Sequence, residues 1–216
     1  EENIRLKSKR LQAAKIKSIA EDFAQYSQIF FPHTFDFRGR VYPVPMYLNP
    51  QGNSLSKGLL MFADGKPLGS EEAAGEFLIH GANCFGFDKA SMQERVDWVI
   101  EHHDDILACA NSPIENLWWA KMADDPWCFL AWCNEYKGYV ENGLEHVSYL
   151  PIQKDGSCSG LQHFSAALRD PVGASAVNLI PSEMPSDIYQ TVIDKVILKV
   201  RADIHNENAE IAAKWL

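Results

Sequence analysis

Glycine and proline are spread unevenly along this chain, and their placement decides what each stretch can form. Residues 2–28 contain neither, while Ile4, Leu11, Ala14, Ile16, Ile19, Ala20, Phe23 and Tyr26 recur along them. That pattern predicts an amphipathic helix ended by Phe30, Phe31 and Pro32. Residues 34–66 are the opposite. Gly39, Pro43, Pro45, Pro50, Gly52 and Gly65 cut them into runs such as 41–44 and 59–62, so short strands, turns and one short helix are predicted. From residue 67 to about 139 a helical stretch returns. Ser70 precedes Glu71 and Glu72 as an N-cap, 91–110 carries Val96, Val99, Ile100, Ile106 and Leu107 at helical spacing, and Pro126 opens an aromatic-rich helix over 127–139. Residues 147–153 read as a strand, 155–160 as a Gly/Ser turn, 161–168 as a helix and 178–180 as a short extended piece. A last helix begins at Ser186. There is no internal repeat. The fold class is mixed α/β (α+β) and helix-rich.

With 216 residues, 46% of them hydrophobic, the chain can bury a core of one domain or two small ones. No apolar run approaches the roughly 18 to 20 residues of a membrane span. No signal peptide precedes the first helix, and five cysteines without a CxxC pair argue against a disulfide framework or zinc ribbon. The cytoplasm is the default compartment. A net charge of −9 argues against a protein that simply coats nucleic acid. Its distribution says more than its sum. Arg5, Lys7, Lys9, Arg10, Lys15 and Lys17 lie within residues 5–17 with no acid among them, whereas 64–105 holds ten acidic and three basic residues. The basic stretch could approach a nucleic-acid backbone or could be a solvated helix face; the acidic one suits a surface turned away from phosphate. The chain begins without methionine and stops at Leu216 inside a helical pattern, which reads as a piece of something longer.

Two segments carry chemistry. Asp155 stands where an apolar run breaks into Gly156-Ser-Cys-Ser-Gly160. A carboxylate there can hold a hard cation such as Mg²⁺, and the glycines let a phosphate come close. The same residue could instead cap the following helix or form an Asx turn. In Phe35-Asp-Phe-Arg-Gly-Arg-Val-Tyr-Pro43, Arg38 and Arg40 flank Gly39, and Tyr42 shares a strand face with Arg40. Guanidinium forks suit phosphate, and an aromatic beside them can pack on a base or sugar. The alternative is a surface hairpin in which Asp36 pairs with Arg38 or Arg40. Lys57 is a further possible phosphate contact.

Taken together, Asp36-Phe-Arg-Gly-Arg40 and Asp155-Gly-Ser-Cys-Ser-Gly-Leu-Gln-His163 resemble the single-subunit DNA-directed RNA polymerases of bacteriophages and mitochondria, the phage branch more closely. The similarity continues through Asn49-Pro-Gln-Gly-Asn53, Lys57-Gly-Leu-Leu60, His80-Gly-Ala-Asn-Cys84, Trp118-Trp119 and Ala176-Val-Asn-Leu-Ile-Pro-Ser-Glu183. The resemblance implies a right-hand polymerase. Residues 1–28 would be the thumb end, 29–66 and 147–185 palm, 67–146 a helical palm insertion, and 186–216 the start of the fingers. It implies that Asp155 is catalytic and holds two Mg²⁺ ions with help from the Gly156 carbonyl. Arg40 and Tyr42, with Arg38, Gly39 and Lys57 beside them, would touch the template–product hybrid. The implied partners are a DNA template, an RNA product and ribonucleoside triphosphates, with no membrane, in an enzyme that is monomeric at full length. In this chemistry a 3′-hydroxyl attacks an α-phosphate and pyrophosphate leaves, with two ions stabilising the entering and leaving oxygens. One aspartate is too few to hold both. The family's second metal-binding aspartate, its nucleotide-gripping lysine and its sugar-sensing tyrosine would fall after Leu216, so this stretch alone should be inactive.

Other readings compete. Gly156-Ser-Cys158-Ser-Gly160 has the spacing of a nucleophile elbow, with Asp187 or Asp194 and His205 as triad letters. A non-catalytic nucleic-acid-binding relic is another. His102, His103, Cys109, Cys128 and Cys133 match no common zinc spacing, and buried thiols in an aromatic core explain them better. His163 reads as a hydrogen-bonded core histidine, and Trp118, Trp119, Trp127 and Trp132 as core.

Overall fold

The computed structural model describes residues 2–154, 156, 158–182 and 184–203. They divide into two compact units, one of residues 1–88 and 92–153, the other of 89–91 and 154–216.

In the first unit, helix α1 (Glu2–Phe23) forms as its uninterrupted sequence predicts, but it buries only Ile16; Ile4, Leu11 and Phe23 stay exposed. It ends before residue 28 because the chain folds back, Tyr26 N–H donating to the Phe23 carbonyl. Residues 28–31 then line an apolar cavity of about 310 Å³ with Ile19, Phe23 and residues 45–48. The punctuated stretch gives what its breakers dictate. Strands β1 (His33–Phe35) and β2 (Val41–Pro43) pair antiparallel with Thr34 opposite Tyr42. The short helix α2 (Ser54–Gly58) follows, its N-cap Asn53 accepting from Ser56 N–H. A two-residue strand β3 (Lys66–Pro67) closes the stretch.

The helical stretch contains α3 (Glu71–Phe85), α4 (Met92–Glu101), α5 (His103–Asn111), α6 (Trp118–Met122) and α7 (Pro126–Asn142). Ser70 caps α3 through Ala73 N–H, and Gly86 ends it in the left-handed conformation. The predicted 91–110 helix is two helices. His102 interrupts it, its ring stacked 4.4 Å from Trp98 and 5.5 Å from Trp118. Around α7 lies the core of Phe77, Val99, Ile106, Cys109, Phe129, Trp132 and Cys133, all fully buried. Trp132 donates its indole N–H to the Phe77 carbonyl at 2.8 Å. Trp127, predicted as core, is substantially exposed.

The predicted 147–153 strand shortens to β4 (Val147–Ser148), paired antiparallel with β3. Its partner is only two residues long and includes Pro67, and Pro151 has no N–H to continue a ladder. In the second unit, α8 (Ser159–Leu168) is followed by α9 (Pro171–Ala176) and α10 (Ile188–Asp203). Helix α9 was not predicted, although Asp170 caps it and Pro171 opens it. Asn178 is not extended: it turns at φ 58°, and its side chain accepts from Ser186 N–H. His163 is exposed on α8 rather than buried. Among the described residues no helix is long and apolar enough to cross a membrane.

Candidate functional site

The β1–β2 turn is organised by Asp36. Its Oδ1 accepts from the backbone N–H of Arg38 at 2.8 Å and of Arg40 at 3.0 Å, which fixes the loop. Gly39 supplies the positive φ of 78° that the turn needs. Asp36 Oδ2 accepts from Arg38 Nε at 2.9 Å and Nη2 at 2.7 Å, and Tyr42 OH lies 3.4 Å away while accepting from Arg38 Nη2 at 3.2 Å. Partial desolvation pushes the Asp36 carboxyl up, but the Arg38 side chain, the two turn N–H groups and Tyr42 together hold it below its ordinary value. The predicted pairing of Asp36 with an arginine is therefore present, and it divides the candidates. Arg38 and Tyr42 are engaged within the turn. The exposed Arg40 gives its backbone N–H to Asp36, and its guanidinium has no partner among the described residues. Phe37, in the same turn, is 97% exposed, and the Arg38 guanidinium lies 5.7 Å from its ring centroid.

The hairpin is tied to α2 by Asn49-Pro-Gln-Gly-Asn53. The buried Asn49 donates Nδ2 to the Pro45 carbonyl and exchanges two 2.8 Å hydrogen bonds with the Ser56 hydroxyl, while Gln51 Nε2 donates to the Val41 carbonyl. Lys57 sits apart from the arginines. Its side chain is only 18% exposed and its ammonium donates to Asp125 Oδ2 at 3.2 Å and to Gln153 Oε1 at 3.4 Å. A small pocket beneath is lined by His80, Cys84, Cys128, Leu150 and Pro151. Burial, reinforced by the Lys57 charge, lowers His80 to about 4, so its imidazole is neutral at physiological pH. Asp125 and Gln153 were not singled out from sequence. They lie 68 and 96 residues from Lys57, and no local pattern encodes such a meeting.

Asp155, the central candidate, lies outside the described residues. Of its turn, Gly156 is exposed, and a Cβ there would meet only Gln162 Oε1 at 3.6 Å. Cys158 adopts φ 59° at the start of α8, a costly conformation for a residue with a side chain. Its thiol faces Tyr189 OH at 3.5 Å. The acids of the elbow reading are occupied otherwise: Asp187 caps α10 by accepting from Tyr189 and Gln190 N–H, and Asp194 accepts from Gln190 Nε2. His205 lies outside the described residues. Nothing therefore favours a thiol hydrolase. Among the described residues no group of three or more His, Cys, Asp or Glu side chains gathers as a metal site. Cys109, Cys128 and Cys133 are buried and their thiols are pushed up by desolvation, while His103 meets Tyr136 OH at 2.9 Å.

Comparison with known proteins gives a consistent result. The family described as DNA-dependent RNA polymerase matches residues 66–216. The chain is 51% identical over 200 residues to T7 RNA polymerase of Escherichia phage T7, covering 93% of this chain and 22% of that protein. It is 52% identical over 199 residues to the DNA-directed RNA polymerase of Enterobacteria phage T3, covering 92% and 22%. The mitochondrial DNA-directed RNA polymerase of Neurospora crassa is 45% identical over 182 residues, covering 83% and 13%. The chain thus spans about a fifth of the length of the phage relatives it matches.

Proposed function

The chain belongs to the DNA-dependent RNA polymerase family, and from that premise we propose that it is the part of a DNA-templated RNA-synthesising enzyme that carries its first catalytic aspartate. The observation that carries this reading is the family match through 66–216, which includes the whole Asp155 turn. In it, residues 1–28 form the thumb end, 29–66 and 147–185 the palm, 67–146 the insertion, and 186–216 begin the fingers. Asp155 and the Gly156 carbonyl are hard oxygen donors, and the open surroundings of Gly156 leave room for an approaching phosphate, so the donor chemistry fits Mg²⁺. Bound there, Mg²⁺ would offset the charge of the triphosphate and of the leaving pyrophosphate. Two oxygen donors do not complete a site for two ions, and the chain alone does not catalyse.

Arg40, freed by the Asp36–Arg38 pairing, is the residue offered to a phosphate of the template–product hybrid, with Tyr42 behind it. Arg38 and Gly39 shape the turn. The partners are DNA, RNA and ribonucleoside triphosphates, and the setting is the host cytoplasm, with the full-length enzyme a monomer.

The test is a chimera in which this chain replaces its counterpart in the phage T7 relative. It should transcribe, and the isolated chain should not. Asp155→Asn in the chimera should abolish RNA synthesis while leaving promoter binding nearly unchanged; near-normal turnover by that variant would refute the assignment. Arg40→Ala should weaken hybrid binding and lower its salt slope by about one, the signature of one lost phosphate contact.

A further inference from the structure

Asp125 stands at the start of α7, where an aspartate ordinarily accepts a backbone N–H of its own helix. Here its side chain makes no such bond. The first-turn N–H of Trp127 is instead taken by Ser54 Oγ, 3.1 Å away on α2. The released carboxylate reaches Lys57. Helix α2 is seated tightly against α7 at this point: a Cβ on Gly58 would lie 2.6 Å from the Trp127 carbonyl oxygen, so only glycine allows the approach. Lys57 in turn reaches Gln153, the last residue of the first unit and the second before Asp155.

The stretch leading to Asp155 is held at successive points. Ser148 pairs with Lys66, the Tyr149 carbonyl accepts from Phe62 N–H at 2.9 Å, and Gln153 accepts from Lys57. The two stretches run antiparallel, and the Lys57 contact falls two residues before Asp155. An ammonium 3.2 Å from a carboxylate also presents little net positive charge to a phosphate.

We propose that Lys57 and Asp125 form a positioning device: the pair fixes the chain at Gln153, two residues before Asp155 in the sequence, and Lys57 is not a phosphate ligand. This rests on the reading of Asp155 as catalytic. The two accounts of Lys57 differ in what Asp125 does. A phosphate-gripping lysine would be hindered by Asp125, and removing that charge would strengthen nucleic-acid binding. In a positioning pair, loss of either partner has the same effect.

The experiment uses the chimera and the 216-residue chain. In the chimera, Lys57→Met and Asp125→Asn should each lower kcat about tenfold, with nucleotide KM and the salt slope of hybrid binding unchanged. The double variant should be no worse than either single one, and Lys57→Arg should recover most of the rate. In the chain itself, NMR backbone order parameters for residues 152–154 should fall from about 0.85 to below about 0.6 in both variants. The proposal is overturned if kcat and order parameters stay at the parent values. It is equally overturned if Lys57→Met weakens hybrid binding while Asp125→Asn tightens it. A silent parent chimera, or an active Asp155→Asn chimera, would instead overturn the catalytic reading of Asp155, and the relaxation measurement would still decide whether the pair holds Gln153.

Discussion

The α3–α7 helical region and the β1–β2 hairpin with α2 are held together by different physics. The helical region is dry and aromatic: Phe77, Phe129 and Trp132 are fully buried and their rings lie 5.6 and 5.7 Å apart. The hairpin leaves Phe35, Phe37 and Val41 exposed and owes its shape to one carboxylate and the N–H groups around it. Apolar burial is strong but indifferent to direction, whereas charge-assisted hydrogen bonds are individually modest and fix orientation. The contrast teaches a division of labour. Stability resides in the α3–α7 helices, and the exposed side chains of the hairpin are aimed by a region that contributes little to it.

The largest effect should come from emptying the core of the α3–α7 helices. Trp132→Ala removes a fully buried indole and leaves the Phe77 carbonyl without its 2.8 Å donor. The expected loss is about 3–5 kcal/mol in urea unfolding. Under native conditions the Arg38 Nε–H resonance, which reports the Asp36 tie, should be unchanged. A loss below about 1 kcal/mol, or a shifted Arg38 signal, would break the proposed separation.

The parts of each region that were legible in the sequence follow from the same contrast. Ser70, Pro126 and the breakers between residues 34 and 66 act locally, so caps, turns and the short helix α2 could be read directly. The Asp36–Arg38 pairing was also visible, because its partners are two residues apart. What depended on a distant neighbour was hidden. The apolar spacing through 91–110 runs straight past His102, whose interruption comes with stacking on Trp98 and on Trp118 of another helix. Residues 147–153 read as a strand, yet only Val147 and Ser148 find a paired partner. Lys57 looked like a free cation because Asp125 cannot be brought to it by any local rule. Helix α9 differs from these, because its start is written locally by Asp170 and Pro171.

A second, smaller effect should appear on mild acidification, and only in the helical region. His80 is 7% exposed, and burial first, then the Lys57 charge, lower it from 6.5 to about 4, with Asp125 opposing. Its sulfur neighbour Cys84 lies 3.6 Å from Nε2. The unfolded chain therefore binds a proton that the folded chain refuses between those two values. Stability is full above pH 6.5 and declines as the pH falls towards 4, by about 3 kcal/mol in all. Urea midpoints across this range should show the decline, and His80→Gln should flatten it. A His80→Gln variant with the parent's pH dependence would show that another group is responsible.

The smallest effect, and the sharpest test of the comparison, lies at lower pH in the hairpin. Asp36 has a folded value below its ordinary 3.8, so its contribution is fully present above 3.8 and is lost as the pH falls through the depressed value. Acid should thus act on the two regions in order. The helical region loses stability first, while the Asp36 carboxylate is still ionised and still holds Arg38 and the turn N–H groups. Only below the ordinary carboxylate range should the amide resonances of Arg38 and Arg40 move towards their unstructured positions. Asp36→Asn should produce those shifts already at neutral pH with little change in the urea midpoint, because the group it alters is at the surface. If Arg40 is the proposed phosphate contact, Asp36→Asn should also weaken hybrid binding in the chimera, since the variant keeps Arg40 but no longer aims it. If Asp36→Asn instead lowered the urea midpoint as much as a core substitution does, the hairpin would be part of the stabilising core and the separation drawn between the two regions would fail.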